Sequence, residues 1–141
     1  MSRNIWLRLL LVLGLLVASA ASAWAEDVAV KVRQKEGVGS YLVDGKGLTL
    51  YYFTKDSPGK SVCTGECLGK WPPLLSEGVT VGEGLEAKDF GTLAKDDGKQ
   101  VTYRGYPLYY FFKDANAGDT NGQGVAGVWF VIDPANFPPK K

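Results

Sequence analysis

A ten-residue string occurs twice in this chain, with seven of its ten positions identical. Gly47-Leu48-Thr49-Leu50-Tyr51-Tyr52-Phe53-Thr54-Lys55-Asp56 aligns with Gly105-Tyr106-Pro107-Leu108-Tyr109-Tyr110-Phe111-Phe112-Lys113-Asp114, an offset of 58 residues from Gly47 to Gly105. The same offset sets Gly69 against Gly127 and Trp71 against Trp129 with no gap. Beyond residue 25 these are the only two tryptophans of the chain. Any fold it adopts must therefore accommodate two copies of one supersecondary unit.

Both copies follow one plan. An aromatic, strand-like run ends at a Lys-Asp pair, a turn-rich loop follows, and a Trp-led apolar segment closes the unit. Asp56-Ser57-Pro58-Gly59 is the turn in the first copy; the stretch from Asp114 to Gly124 serves in the second. Val128 to Ile132 reads as a strand, whereas Pro72 and Pro73 limit Trp71 to Leu75 to an edge position. Ser40 to Asp44 and Gln100 to Tyr103 read as the first strands of two hairpins, turning at Gly45-Lys46-Gly47 and at Gly105. A helical turn is expected within Leu85 to Leu93, and another across the cysteines. Alternation sends Leu48, Leu50 and Tyr52 to one face and Thr49, Tyr51 and Phe53 to the other. Leu108, Tyr110 and Phe112 likewise oppose Tyr109 and Phe111. Both faces are bulky and apolar, so both need cover. The expectation is a mainly β fold with short helical turns: two tandem hairpin, loop and Trp-strand repeats, at about 40–76 and 98–134, within one domain at 40–137. One small sheet, a sandwich and a barrel-like closure all satisfy this pattern.

The N-terminus carries a different signal. Arg3 and Arg8 precede an apolar run from Leu9 to Val17, and Ala23-Trp24-Ala25 fits a small-x-small cleavage site. This is the pattern of a secretory signal peptide over 1–25, with an apolar core too short to span a bilayer stably. Cleavage near Ala25 would leave 116 of the 141 residues, beginning with an N-terminal segment at 26–39, and 14 basic against 15 acidic side chains. A near-neutral chain without a basic run has no electrostatic footprint for nucleic acid. The expected location is periplasmic or secreted, with no stable membrane insertion after cleavage. Cys63 and Cys67, an even pair in an oxidising compartment, are expected to form a disulfide that pins one turn.

The duplicated residues resemble a bacterial family of secreted-repeat, lipoprotein-like proteins with a Y-x-[FWY]-x-x-D motif. Tyr51, Phe53 and Asp56 match it once, and Tyr109, Phe111 and Asp114 match it again. The stretches Cys63-Thr64-Gly65-Glu66-Cys67 to Trp71-Pro72-Pro73-Leu74, and Gly118 to Gly124 with Trp129, are also similar. The resemblance covers about Tyr41 to Asp133. It implies a repeat fold and an exported location, and no established activity. Many members look like lipoproteins, but this chain has no cysteine near Ala25 to carry a lipid.

Candidate chemistry is sparse. With no histidine, neither a Ser-His-Asp nor a Cys-His arrangement exists. The C-x-x-x-C spacing with Glu66 between the cysteines is a poor redox dithiol. Asp119, Asn121 and Gln123 alternate before a glycine, with Asp114 nearby, and are the candidate cation ligands, calcium being the candidate cofactor. Phe130 stands where an EF-hand places its bidentate Glu, which favours a hydrogen-bonded turn instead. Asp56 and Asp114 occupy equivalent positions and would form an acid-base pair only if a pseudo-twofold brought them together. The reading is an exported, non-enzymatic module that binds a protein partner, a small ligand or an envelope component. A thiol-disulfide redox protein using Cys63 and Cys67, and a cation-dependent adhesion or scaffold protein, are the alternatives.

Overall fold

The structure, a computed structural model, describes residues 27–140. The leader proposed for residues 1–25 and its cleavage site lie outside the described residues.

The chain is mainly β. Its strands are β1 (Val28–Lys35), β2 (Gly39–Asp44), β3 (Tyr51–Phe53), β4 (Val79–Val81), β5 (Phe90–Lys95), β6 (Gly98–Tyr103), β7 (Tyr106–Pro107) and β8 (Trp129–Val131). Among the described residues one short α-helix, α1 (Glu66–Lys70), carries Cys67. The strands form three small sheets, with orders β2-β1-β4, β3-β8 and β5-β6-β7. Isolated bridges at Tyr51–Tyr109, Pro73–Tyr109 and Leu75–Gln100 join them. No barrel closes among the described residues.

The two repeats complete one another. β3 of the first repeat pairs with β8 of the second, Phe53 opposite Trp129 and Tyr52 opposite Phe130. In the reverse direction, Tyr110 donates its N–H to Pro72 O (2.8 Å) and Phe112 donates to Lys70 O (2.9 Å). The bond from Thr54 N to Val128 O (2.8 Å) is the counterpart of the latter. Each repeat's aromatic strand is thus covered by the other repeat's Trp segment. The strands themselves meet at the centre, where Tyr51 and Tyr109 exchange both backbone bonds (2.8 and 3.0 Å). Further out, Leu42 donates to Ile132 O and Val101 to Leu74 O, again between repeats.

The glycine that opens each copy has a reason. Gly47 and Gly105 have φ of +86° and +88°, where a side chain would be strained. An added Cβ would also lie 2.8 Å from the Ala117 Cβ and 2.7 Å from the Pro58 Cβ. Those neighbours belong to the other repeat's loop, which docks on the hairpin turn through Gly118 N to Gly47 O and Gly59 N to Gly105 O.

Alternation divides the aromatic strands between two apolar cores, as their sequence pattern requires. Leu50, Tyr52 and Leu108 join Val30, Leu42, Leu74, Val101, Tyr103, Ile132 and Phe137 in one. Tyr51, Tyr109 and Phe111 join Cys63, Trp71 and Trp129 in the other. Burying each such aromatic side chain contributes about 1.5–3 kcal/mol. Phe112 departs from the pattern: it is 54% exposed.

Three local expectations need correction. Sequence patterning singles out no element in the segment 26–39, yet β1, the longest strand, lies there between β2 and β4. Its Val28-x-Val30-x-Val32 alternation is the period-2 signal for it. The helical turn within Leu85 to Leu93 shrinks to a single 3-10 turn at Ala87–Asp89, and β5 begins at Phe90. The aromatic, strand-like run of the second copy is regular only at Tyr106–Pro107 and continues as single bridges. Its partner there is Pro72-Pro73, which has no N–H groups to extend a ladder.

Replacing Trp71 or Trp129 by Ala is expected to cost about 3–5 kcal/mol in urea unfolding. Phe112→Ala, at an equally aromatic but exposed position, is expected to stay within about 0.5 kcal/mol of the parent.

Candidate functional site

The residues that the sequence duplicates converge on one place. Trp71 and Trp129 lie face to face, with ring centroids 3.8 Å apart and planes 2° from parallel. Phe53 stacks on the outer face of Trp129 at 4.3 Å, and Phe111 on the outer face of Trp71 at 4.2 Å. The result is a column of four rings, Phe53, Trp129, Trp71 and Phe111, drawn alternately from the two repeats. Tyr51 and Tyr109 meet the tryptophans edge-on, at 5.4 Å from Trp71 and 5.1 Å from Trp129. Edge-to-face and stacked pairs of this kind add about 0.5–1.5 kcal/mol beyond area burial.

The polar ends of the motif cross over in the same way. The Tyr51 hydroxyl donates to Asp114 Oδ2 at 2.5 Å, and the Tyr109 hydroxyl donates to Asp56 Oδ2 at 2.7 Å. The tyrosine of each repeat therefore binds the aspartate of the other. The second carboxylate oxygen closes the aspartate's own loop: Asp56 Oδ1 accepts from Val62 N (2.7 Å), and Asp114 Oδ1 from Asn121 N (3.0 Å). Ser61 Oγ lies 2.6 Å from the Tyr109 hydroxyl, while Gly122 N donates to the Tyr51 hydroxyl at 3.1 Å. A tyrosine, an aspartate and a loop group thus form each lock, and only the loop group differs.

Burial dominates the electrostatics. It raises the pKa of both Asp56 and Asp114 above the ordinary carboxyl value, against the lowering effect of the tyrosine hydrogen bonds. Burial also pushes Tyr51 and Tyr109 far up, helped in each case by the carboxylate beside the phenol. Asp56 and Asp114 do not form a carboxylate pair. The charge that reaches Asp56 is that of Lys95, and the one that reaches Asp114 is that of Asp119.

The remaining sequence candidates hold loops. Cys63 and Cys67 form a disulfide with Cα atoms 5.4 Å apart, and Cys63 is buried in the aromatic core. Trp71 N donates to Cys67 O at 2.8 Å, so the bridge fixes the approach to the tryptophan. In the second copy, turn bonds such as Gln123 N to Thr120 O and Val125 N to Gly122 O occupy that position. Three of the four candidate cation ligands accept hydrogen bonds through a side-chain oxygen, and Asn121 donates through its amide nitrogen. Asp114 is held as above, Asp119 Oδ2 accepts from Ala115 N and Asn116 N, Gln123 Oε1 accepts from Val131 N, and Asn121 Nδ2 donates to Lys113 O. Among the described residues no three acidic or cysteine side chains are grouped as a metal centre would need.

Sequence reasoning missed two members. Asp44 accepts from Lys46 N and Leu48 N through Oδ1, and from the Tyr110 hydroxyl (2.8 Å) through Oδ2. This third tyrosine-aspartate bond has no duplicate, so repetition could not flag it. Gly122 packs against the column: an added Cβ would lie 2.7 Å from the Tyr51 ring and 2.9 Å from the Trp71 ring.

Two measurements follow from this geometry. A carboxyl whose pKa is raised by folding stabilises the fold below its unfolded value of 3.8, and that contribution is lost as pH rises through the folded value. Melting temperature should therefore fall as pH rises from 3.8 towards neutrality, and Asp56→Asn with Asp114→Asn should flatten that slope. Gly122→Ala should cost about 1–3 kcal/mol, because rigid aromatic rings must move to admit the methyl group.

Comparison with known proteins agrees with the duplicated plan. A family described as a secreted repeat of unknown function matches residues 33–75 and again 91–133, two spans with the same 58-residue offset. No curated protein and no solved structure matches the chain. No helix among the described residues is long and apolar enough to cross a membrane. With more than half of its residues inside the two matched spans, the chain belongs to this family of secreted repeats.

Proposed function

We propose that the chain works, after cleavage near Ala25, as a periplasmic or secreted non-enzymatic module that binds a protein partner, a small ligand or an envelope component. The observation that carries this reading is the inward commitment of the motif. Trp71, Trp129, Tyr51, Tyr109, Phe111 and Asp56 are all buried, and they hold one repeat to the other. The repeated residues build a stiff frame, which leaves recognition to the loops and clefts around it.

A hydrogen-bonded chain that resembles a catalytic relay argues the same way. Asp56, Tyr109 and Ser61 are linked in series. A general base must take up a proton near the working pH. Tyr109 is held protonated by burial and by the Asp56 carboxylate, so it cannot deprotonate Ser61. The disulfide likewise reads as structural: Cys63 is buried in the aromatic core, and Trp71 N donates to Cys67 O.

The test uses the chain from Glu26. Saturable retention on washed envelope fractions, without turnover on a panel of hydrolase and thiol-disulfide substrates, is the expected result. Its disulfide should have a reduction potential below about −300 mV. Robust turnover would overturn the reading, and an absence of saturable retention would remove its envelope-component arm.

A further inference from the structure

An unpaired strand edge is a template for another strand, so a protein built of small sheets must protect its edges. Most edges here are closed, short or charged. The outer edge of β2 is taken by Leu50 N to Leu42 O (3.0 Å) and by Leu42 N to Ile132 O (3.1 Å). β4 has three residues and β7 two, one of them Pro107. β1 is open beyond Val30, where its pairing with β4 ends, and that stretch carries Lys31, Arg33 and Lys35. β5 differs from all of these. It is the outer strand of its sheet, six residues long, and its Gly91-Thr92-Leu93-Ala94 stretch carries no charge. Gly91, Thr92 and Ala94 are exposed.

The far side of the sheet shows which groups of β5 are open. Val101 of β6 stands opposite Thr92, and Lys99 opposite Ala94. Val101 N donates to Leu74 O (2.8 Å), Val101 O accepts from Leu108 N (3.0 Å), and Lys99 O accepts from Ser76 N (2.9 Å). Those groups point away from β5. In an antiparallel ladder the N–H and C=O of Thr92 and Ala94 then point away from β6. Among the described residues nothing outside the sheet bonds to them. Phe90 is in the same phase; its N–H is spent on Ala87 O, which leaves its C=O. The two ends of the strand carry opposite charges. Asp89 is held by Arg104 (3.4 Å), whose guanidinium also donates to Pro134 O (3.0 Å) and Phe137 O (2.7 Å) beside an open cleft of about 520 Å³. Lys95 has no ion-pair partner among the described residues.

We propose that β5 pairs antiparallel with β5 of a second copy of this chain, about a twofold axis through Thr92. The stretch Asp89-Phe90-Gly91-Thr92-Leu93-Ala94-Lys95 is complementary to itself in that register. Phe90 meets the small Ala94 of the partner subunit, and Gly91 makes room for Leu93 of the partner subunit. Thr92 meets its own counterpart, a favourable cross-strand pair, and Asp89 faces Lys95 of the partner subunit. Symmetry repeats each contact. The Thr92 residues exchange both backbone bonds, and each Ala94 N–H reaches Phe90 O of the partner subunit. The neighbouring registers that keep the bonding phase set Asp89 against Asp97 or Lys95 against Ala87, and both lose the charge pairing. Pairing would join two three-stranded sheets into one continuous sheet and leave no free β5 edge. It is independent of what the module binds, and it presents every recognition surface twice.

Sedimentation equilibrium of the chain from Glu26 tests the pairing. A single strand edge is a small interface, so a reversible monomer–dimer equilibrium with a Kd between about 1 µM and 1 mM is expected. It should weaken as salt rises and show no larger species, since a twofold contact closes on itself. Thr92→Pro removes the N–H on the axis, which the β5–β6 ladder does not use, and should abolish the dimer. Should that variant fail to fold, Thr92→Lys sets like charges against each other at an exposed position and should weaken the dimer about tenfold. Cysteines read the register. Thr92→Cys should cross-link to its counterpart, because hydrogen-bonded antiparallel pairs hold their Cα atoms about 5.5 Å apart, within disulfide reach. Ala94→Cys, displaced from its counterpart along the strand, should not. A chain still monomeric at about 1 mM, a dimer indifferent to both Thr92 variants, or cross-linking through Ala94→Cys alone would overturn the proposal. So would capture of an envelope protein by Thr92→Cys in place of its own copy, which would assign the edge to a foreign strand.

Discussion

The stack of Trp71 on Trp129 is the contact around which the molecule is organised. A tryptophan ring is covered on both faces only if partners reach it from opposite sides. Here each ring has one face on its twin and the other on a phenylalanine. That geometry forces the Trp segments to cross over, because the phenylalanine over each tryptophan comes from the opposite repeat. Once the segments cross, the strand pairing, the tyrosine-aspartate bonds and the docking of each loop on the other repeat's glycine turn follow in register. A single repeat has none of these partners. The duplication is therefore a physical requirement of the fold, since one copy alone would leave its column, its aspartate and its strand edge unsatisfied.

Much of this was legible in the residues themselves. Repetition at a constant offset marked Tyr51, Phe53, Asp56 and Trp71 together with their counterparts, and alternation separated the two cores except at Phe112. The crossing was not legible. A sequence shows that Tyr51 and Tyr109 are equivalent, and equivalence says nothing about whether Tyr51 binds Asp56 or Asp114. Only the placement of the Trp segments decides that. Features outside the repetition were harder still. Asp44 and Gly122 have no twin in the other copy, and β5 follows a 3-10 turn in a stretch with weak alternation. β1 could have been found from its three alternating valines, which the dominance of the repeat pattern obscured.

The same division bears on function. The repeated residues face inward, and their chemistry is consumed by neighbours: phenols by carboxylates, carboxylates by loop N–H groups, the cysteines by each other. Some of what differs between the copies faces outward. Phe112 is exposed where the first copy has Thr54, and Arg104 ties down a cleft with no duplicate. In a duplicated protein, symmetric positions serve assembly, and departures from symmetry are where a ligand can be recognised.

The crossing of the two repeats is tested most directly by double-mutant cycles in urea unfolding, using Tyr51→Phe and Tyr109→Phe against Asp56→Asn and Asp114→Asn. The account predicts coupling of about 1–3 kcal/mol between Tyr51 and Asp114 and between Tyr109 and Asp56, with almost none between Tyr51 and Asp56 or between Tyr109 and Asp114. Coupling confined to the tyrosine and aspartate of the same repeat would contradict it.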